Sequence, residues 1–235
     1  MCMLPALQYC IFLLVLMPCA LMLILMLLLM LFQELPLTSG VMLRLGMTNP
    51  PYMLAHLEAI ARCLNHPNVF AFLHIPVQAG SDRVLDAMRR EYSVRDFDFI
   101  CAYLTERVPG LTLATDIICG FPGETDDDFE RTLELVRRHK FPVLNISQFY
   151  PRPGTPAAKM KRLDTQLVKS RSRKLTALFE TMRPFENMHG AELPVWFGLE
   201  VSEDRAHSVG HSKGYVKVLV PLDPDLPGTC HRVRV

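Results

Sequence analysis

The sequence of 235 residues predicts an α/β fold with a parallel sheet for most of the chain, followed by a small β module. Short, almost continuously apolar segments alternate with amphipathic helical patterns, and they recur about every 30–40 residues, as strands do in βα units. Strands that are apolar throughout indicate a parallel sheet covered by helices. Half of the residues are apolar and the net charge is +1, which excludes a disordered chain.

The first 40 residues differ from the rest in composition. From Tyr9 to Phe32 every residue is apolar except Pro18, and no charged residue precedes Glu34. As a helix, this run would be roughly 36 Å long, which exceeds a hydrocarbon core of about 30 Å. A signal peptide would have a basic start and a shorter apolar region. We therefore predict an apolar helix and linker over 1–40 that could span a membrane; an unusual exon or wrongly assigned start is the alternative.

Residues 41–189 contain the four predicted βα units. The predicted strands are Val41–Met47, Val69–Val77, Leu111–Cys119 and Val143–Phe149. Ser81 is a predicted N-cap, and the pairs Ser93/Asp96 and Thr125/Asp128 have the spacing of capping boxes. A basic helix is predicted from about Asp164 to Met182. Such a series indicates either a barrel segment or an open sheet.

Residues 190–235 predict a different architecture. Strands are expected at Leu193–Val201, Tyr215–Val220 and Cys230–Val235, joined by turns rich in Gly, Asp and Pro. The sequence therefore predicts a small β module without helices.

The seven cysteines show no spacing typical of a metal site. They are Cys2, Cys10, Cys19, Cys63, Cys101, Cys119 and Cys230. No zinc, redox-pair or iron–sulfur motif is formed, and the odd number makes a disulfide framework a poor interpretation. We predict reduced, mostly buried thiols and no metal site.

Polar residues lie within or directly after the predicted strands. In a parallel α/β sheet, ligands bind at the carboxyl ends of the strands, so these side chains predict one shared pocket. The candidates are Arg44, Asn49, His74, Gln78, Asp116, Gly120, Glu124, Tyr150 and Arg152. For individual residues a structural interpretation stays open: His74 could be a core histidine, Asp116 could cap a turn, and Gly120 could serve a strand-to-helix turn.

The segment from Arg152 to Arg183 is strongly basic. It contains nine Lys and Arg residues against Asp164 and Glu180. A local excess of this kind attracts phosphate backbones, although a solvated helix face is the alternative. The candidate RNA-binding residues are Lys169, Arg171, Arg173 and Lys174.

Three long motifs, in order, carry a resemblance to a known family. They are HIPVQAGSD at 74–82, DIICGFPGET at 116–125 and QFYPRPGTPA at 148–157, preceded by RLGMTNP at 44–50. From about Val41 to Pro184 the chain resembles the radical S-adenosylmethionine methylthiotransferases, and among them the eukaryotic enzymes that modify threonylcarbamoyladenosine in tRNA. The segment after Ala191 resembles their TRAM module, a small β-barrel that holds tRNA.

The resemblance implies a function. Enzymes of this family use S-adenosylmethionine and [4Fe–4S] clusters to methylthiolate threonylcarbamoyladenosine beside the anticodon. By position, Asp116, Gly120 and Glu124 would flank S-adenosylmethionine, while Arg44, Asn49, His74, Gln78, Tyr150 and Arg152 would line the substrate pocket. The partner would be tRNA and not DNA. The family's eukaryotic members carry a membrane anchor at the C-terminus, whereas the apolar run here is N-terminal. We expect the endoplasmic reticulum membrane, with the globular part facing the cytosol because Arg44 and Arg62 follow the apolar run.

One departure from the family pattern is as informative as the match. The sequence has no Cys-x-x-x-Cys-x-x-Cys motif, so the cluster ligands are absent from this chain. The resemblance therefore implies an open, partial barrel of about four βα units, as in a truncated isoform or a fragment. Three hypotheses follow: part of a tRNA methylthiotransferase, a non-catalytic tRNA-binding module, or a membrane-anchored fragment without activity.

Overall fold

A computed structural model of the chain describes residues 41–235. The apolar segment 1–40 and the helix predicted there lie outside the described residues. Within residues 41–235, no helix is both long enough and apolar enough to cross a membrane.

The described chain consists of helices and parallel strands followed by antiparallel strands. The helices are α1 (Pro50–Met53), α2 (Leu57–Asn65), α3 (Asp82–Ala87), α4 (Val94–Arg107), α5 (Asp126–His139) and α6 (Thr165–Glu180). The strands are β1 (Phe72–His74), β2 (Thr112–Cys119), β3 (Val143–Gln148), β4 (Glu192–Val201), β5 (His207–Ser212), β6 (Lys217–Pro221) and β7 (Cys230–Arg234). Short 3-10 helices cover Leu54–His56, Pro156–Lys159 and Glu186–Met188.

The first three strands form a parallel sheet in the order β1-β2-β3, which confirms the predicted α/β class. The segment predicted as the first strand, Val41–Met47, runs beside β1 and the residues before it, and it is held there by two isolated parallel bridges, Leu43 to Val69 and Met47 to His74. Sequential parallel neighbours with intervening helices are the arrangement of a βα barrel segment.

Local sequence signals explain where the helices begin. Ser93 and Thr125 each accept a hydrogen bond from the backbone N–H three residues later, and both predicted capping boxes are present. Ser81 occupies the predicted N-cap position of α3, but its side chain makes no capping hydrogen bond; its hydroxyl donates to Asp128 at 2.6 Å. Asp128 therefore links the start of α5 to the start of α3.

The two faces of the parallel sheet are buried against different partners. One face packs on the helices in the main core, which includes Leu73 and Ile117. On the other face, Phe72 and Ala114 form a second apolar cluster, against which Trp196 and Tyr215 of the antiparallel part are packed. Arg44 lies in this second cluster, its guanidinium 4.6 Å from the Phe72 ring centre and 4.4 Å from that of Tyr215.

The last four strands form an antiparallel sheet in the order β6-β5-β4-β7. Three of them match the predicted strands within a few residues, but β5 was not predicted because His207, Ser208 and Ser212 disguise its alternation. Val195, Phe197 and Val218 form the core of this module.

Lys213 connects the β module to the parallel part. Its ammonium group donates to the backbone carbonyls of His66, Pro67 and Val69, just after α2. Its own carbonyl accepts from the N–H of Ala71 at 2.7 Å. Burial lowers the pKa of Lys213 to about 8. A lysine beside carbonyls at a helix carboxyl end is favourably placed for the helix dipole, so this contact fixes the module near the start of β1.

Candidate functional site

A pocket of about 1070 Å³ opens at the carboxyl ends of the parallel strands. Its lining comes from the end of segment 41–47, the ends of β2 and β3, the turn after α3 and the loop after β3. A βα sheet positions ligands at this edge, because the loops that follow parallel strands converge there.

The floor of the pocket is a polar cluster on the inner face of the sheet. His74 Nε2 lies 2.7 Å from Asp116 Oδ1, and the Asn145 amide donates to the same oxygen at 2.8 Å. Burial on its own would raise the pKa of Asp116, but the hydrogen bonds from His74 and Asn145 outweigh it and hold that pKa below its usual value. Asp116 is therefore an ionised acceptor; within residues 41–235 its Oδ2 receives no hydrogen bond.

Gln78 lies at the edge of this floor in a left-handed backbone conformation, with φ 71°. Its N–H donates to the Asp116 carbonyl at 2.8 Å and its carbonyl accepts from Ile118 at 2.9 Å. A non-glycine residue in this conformation is uncommon and concentrates at functional sites. The two backbone bonds fix the Gln78 side chain at the pocket wall.

Aromatic side chains also line the pocket. Phe121 and Phe149 meet edge to face with ring centres 5.2 Å apart. Tyr52 and Tyr150 also line the pocket, and Tyr150 is 80% exposed. Flat apolar walls above a floor of hydrogen-bonding groups suit a planar heterocycle such as a nucleobase.

The structure divides the predicted pocket residues into three groups. Asn49, Gln78, Asp116, Tyr150 and Arg152 line the pocket, and His74 supports it from behind Asp116. Arg44, Gly120 and Glu124 do not line it. Arg44 lies between the sheet and the β module instead, because the rings of Phe72 and Tyr215 hold its guanidinium there.

Gly120 and Glu124 belong to a closed cluster after β2. The Glu124 carboxylate accepts from the Gly120 N–H at 2.9 Å and from the Arg171 guanidinium at 2.7 Å. Arg171 also donates to the Glu124 carbonyl at 3.1 Å and to Asp126 at 2.6 Å. Burial raises the pKa of Glu124 despite this pairing. The cluster joins α6 to the β2–α5 turn.

The placement of Arg171 corrects its assignment to an RNA-binding surface. Its side chain is 4% exposed, because it compensates the buried Glu124. Lys169 and Arg173 are exposed on α6, while Lys174 is exposed but paired with Glu130 at 3.1 Å. The positions of the basic residues along this helix did not reveal in the sequence which of them faces inward.

Among the pocket residues that sequence reasoning missed are Arg89 and Arg90. Both line the pocket from the turn after α3. The sequence signal for them is weak, since two arginines after an amphipathic helix are typical of a solvated helix end.

The described cysteines do not provide ligands for a cluster. Cys63, Cys101 and Cys119 are buried, and burial raises the pKa of Cys63 to about 11 and that of Cys119 to about 12. Within residues 41–235, no three His, Cys, Asp or Glu side chains are grouped so that they could hold a metal ion. A [4Fe–4S] cluster therefore does not fit this part of the chain.

Comparison with known proteins relates this chain to a family. Residues 20–136 match the radical SAM superfamily. The chain is 55% identical over 205 residues to the threonylcarbamoyladenosine tRNA methylthiotransferase of Danio rerio, covering 87% of this chain and 37% of that protein. The human protein of the same name is 53% identical over 197 residues, covering 84% and 34%. The chain thus spans about a third of the length of these relatives.

A more distant relative and a solved structure extend the comparison. The probable threonylcarbamoyladenosine tRNA methylthiotransferase of Pyrococcus abyssi is 44% identical over 132 residues, covering 56% of this chain and 31% of that protein. The structure of coproporphyrinogen III oxidase from Escherichia coli, a radical SAM enzyme, superposes with a TM-score of 0.55 at 16% identity. It covers 84% of this chain and 52% of its own, and it supports the barrel-like α/β fold.

Proposed function

Because the chain belongs to the radical S-adenosylmethionine superfamily, within the group of tRNA methylthiotransferases, we propose that it takes part in the methylthiolation of N6-threonylcarbamoyladenosine in tRNA. The observation that carries this proposal is the 55% identity to the zebrafish enzyme. That alignment leaves at most 30 of the 235 residues outside, so it includes all residues that line the pocket.

The pocket chemistry supports a nucleobase substrate. Phe121 and Phe149 offer aromatic surface, while Gln78 and Asp116 offer hydrogen-bonding groups at the floor. Bases displaced from an RNA strand are typically stacked on aromatic rings and hydrogen-bonded along their edges. These residues would bind and orient the modified adenine and exclude water from it.

S-adenosylmethionine fits the donor and acceptor set of the same pocket. When bound, it supplies the radical and the methyl group in this family. Of the three residues expected beside it, Asp116 is the one that lines the pocket, and its Oδ2 could accept from ribose hydroxyls. Gly120 and Glu124 would act indirectly, by fixing the turn that carries Phe121.

The tRNA would be held outside the pocket by charge. Lys169 and Arg173 on α6 are exposed and would neutralise phosphates. The β module, with the exposed Arg232 and Arg234 on β7, would act as the TRAM-like tRNA-holding part of the family.

The apolar run from Tyr9 to Phe32 supports a membrane location on composition alone. The proposed site is the endoplasmic reticulum membrane, with residues 41–235 facing the cytosol. Carbonate extraction of cell membranes tests this: the chain should stay in the pellet, and a variant lacking residues 1–40 should enter the supernatant. Release of both forms would contradict it.

A segment exchange tests the proposed activity. The zebrafish enzyme, with the segment that aligns with residues 41–235 replaced by those residues, is expressed in cells that lack the endogenous enzyme, and tRNA nucleosides are analysed by mass spectrometry. We expect the 2-methylthio derivative of N6-threonylcarbamoyladenosine. Asp116→Asn should reduce it at least about tenfold, whereas the exposed control Asp225→Asn should not. A soluble chimera that binds tRNA but forms no product would contradict the proposed activity and favour the non-catalytic tRNA-binding function.

A further inference from the structure

The pocket lining has an unbalanced positive charge. Three arginines line it (Arg89, Arg90 and Arg152) against one carboxylate, Asp116. Asp116 is already hydrogen-bonded to His74 and Asn145. Within residues 41–235, none of the three guanidinium groups has a hydrogen-bond or ion-pair partner. A pocket with this lining is suited to an anionic ligand.

The end of α3 places two of these arginines at the pocket. The Arg90 N–H donates to the Leu85 carbonyl and the Arg89 N–H to the Asp86 carbonyl, both at 2.9 Å, which is the pattern of a Schellman motif. Arg89 occupies the left-handed position of that motif, with φ 57°, where glycine is the usual residue. An arginine held there indicates that its side chain has a use that offsets the backbone strain.

Arg90 lies close enough to the floor to act on it. Its charge contributes to the lowered pKa of Asp116, and it is a half-buried residue of the pocket lining. The exposed Lys169 and Arg173, by contrast, lie on α6 outside the pocket lining. The anion that Arg90 meets is therefore part of the molecule inside the pocket, and the backbone phosphates of a long RNA would meet the outer charges.

We propose that Arg89 and Arg90 bind the carboxylate of the threonyl group of the substrate base, which makes them specificity-determining residues. This inference rests on the proposed function, because threonylcarbamoyladenosine is the adenosine derivative that carries a carboxylate on its N6 substituent. A guanidinium binds a carboxylate through two parallel hydrogen bonds, and such charge-assisted bonds are the strong ones. A neutral N6 substituent would leave both arginines without a partner.

Titration of the full chain with small nucleosides tests the inference. The probes are N6-threonylcarbamoyladenosine, its threonyl methyl ester, adenosine 5′-monophosphate and S-adenosylmethionine. Binding of each probe is measured by calorimetry. We expect the free acid to bind about tenfold more tightly than the ester. Arg90→Gln should remove this difference. Arg89→Gly should reduce it while keeping or raising the thermal midpoint, since glycine fits the left-handed position; Arg62→Gln on α2 is the control.

Several results would overturn the assignment. Equal affinity for acid and ester, or no binding of either at millimolar concentration, would show that Arg89 and Arg90 do not form a site for the carboxylate. If the arginine variants weaken adenosine 5′-monophosphate or S-adenosylmethionine instead, the anion is a phosphate or the cofactor's carboxylate. The segment exchange separates the two proposals: an active chimera whose KM for the modified tRNA is unchanged by Arg90→Gln refutes this inference alone. Arginine-dependent nucleoside binding with an inactive chimera refutes the proposed function alone.

Discussion

Two polar clusters at the carboxyl end of β2 contain similar residue types and serve different purposes. The first joins Asp116 to His74 and Asn145 and faces the open pocket. The second joins Glu124 to Gly120 and Arg171 and is closed, with the Arg171 and Glu124 side chains 4% and 1% exposed. Access to the pocket, and not residue type, separates the carboxylate that we propose binds a ligand from the structural one.

Breaking the closed cluster should have the largest effect on stability. Arg171→Met leaves the buried Glu124 carboxylate uncompensated, and we expect a loss of about 3–5 kcal/mol in the free energy of unfolding, measured with urea. Lys174→Met on the same helix breaks an exposed pair with Glu130 and should cost less than about 1 kcal/mol. Equal losses for the two variants would contradict the distinction between the buried Arg171–Glu124 pair and the exposed Lys174–Glu130 pair.

The pH dependence of that loss sharpens the interpretation. Burial already raises the pKa of Glu124 above its usual value, and removal of Arg171 should raise it further. A carboxyl with a raised pKa in the folded state takes up a proton on folding, so stability increases as the pH falls through that pKa. The deficit of Arg171→Met should therefore shrink between about pH 7 and pH 5. A deficit that grows over this range would show that Glu124 is not the group left unpaired.

Two glycines of the same turn separate packing from backbone strain. Gly120 and Gly123 have φ of 80° and 85°, so alanine is strained at both. At Gly120 a Cβ would also overlap the Val168 side chain on α6, whereas at Gly123 nothing lies within 4 Å. We expect Gly120→Ala to cost about 2–4 kcal/mol and Gly123→Ala about 1 kcal/mol. Similar urea midpoints for both variants would show that α6 does not pack on Gly120.

In the open cluster, substitution should change binding more than stability. Asp116 is partly exposed, so Asp116→Asn should change the free energy of unfolding by less than about 1 kcal/mol. Loss of the acceptor should weaken nucleoside binding at least about tenfold in calorimetry. Since the pKa of Asp116 is held below its usual value, binding that depends on its charge should persist to lower pH than an ordinary aspartate would allow, and be lost once Asp116 is protonated. If Asp116→Asn unfolds, the Asp116 carboxylate is a structural group, as the Glu124 carboxylate is.

The smallest effect concerns the exposed surface of α6. The double variant Lys169→Ala/Arg173→Ala should weaken binding of different tRNAs equally and lower the slope of log affinity against log salt by about 2. Arg171 is left intact, because its replacement is expected to destabilise the fold and would therefore lower tRNA binding for a different reason. The matched control is Arg62→Ala/Arg95→Ala on α2 and α4. If both double variants bind tRNA alike, α6 is a solvated helix face.

Patterns that depend on neighbouring residues in the sequence could be predicted, and pairings across the fold could not. The capping boxes at Ser93 and Thr125 correctly predicted where two helices begin. The apolar strands correctly predicted the parallel sheet. The pairing of Arg171 with Glu124 joins residues 47 positions apart and has no local signature. Arg89 escaped prediction because its role depends on a left-handed backbone that glycine normally adopts.

Hydrogen exchange of the chain with and without a ligand tests the central claim most directly, namely that the carboxyl ends of the strands form the ligand site. The ligand is an anticodon stem-loop RNA that carries N6-threonylcarbamoyladenosine. We expect slowed exchange in peptides covering residues 48–52, 88–90 and 147–152, and unchanged exchange at 124–128, where the closed cluster lies. Protection confined to α6 and the β module, with none at these three segments, would contradict the account.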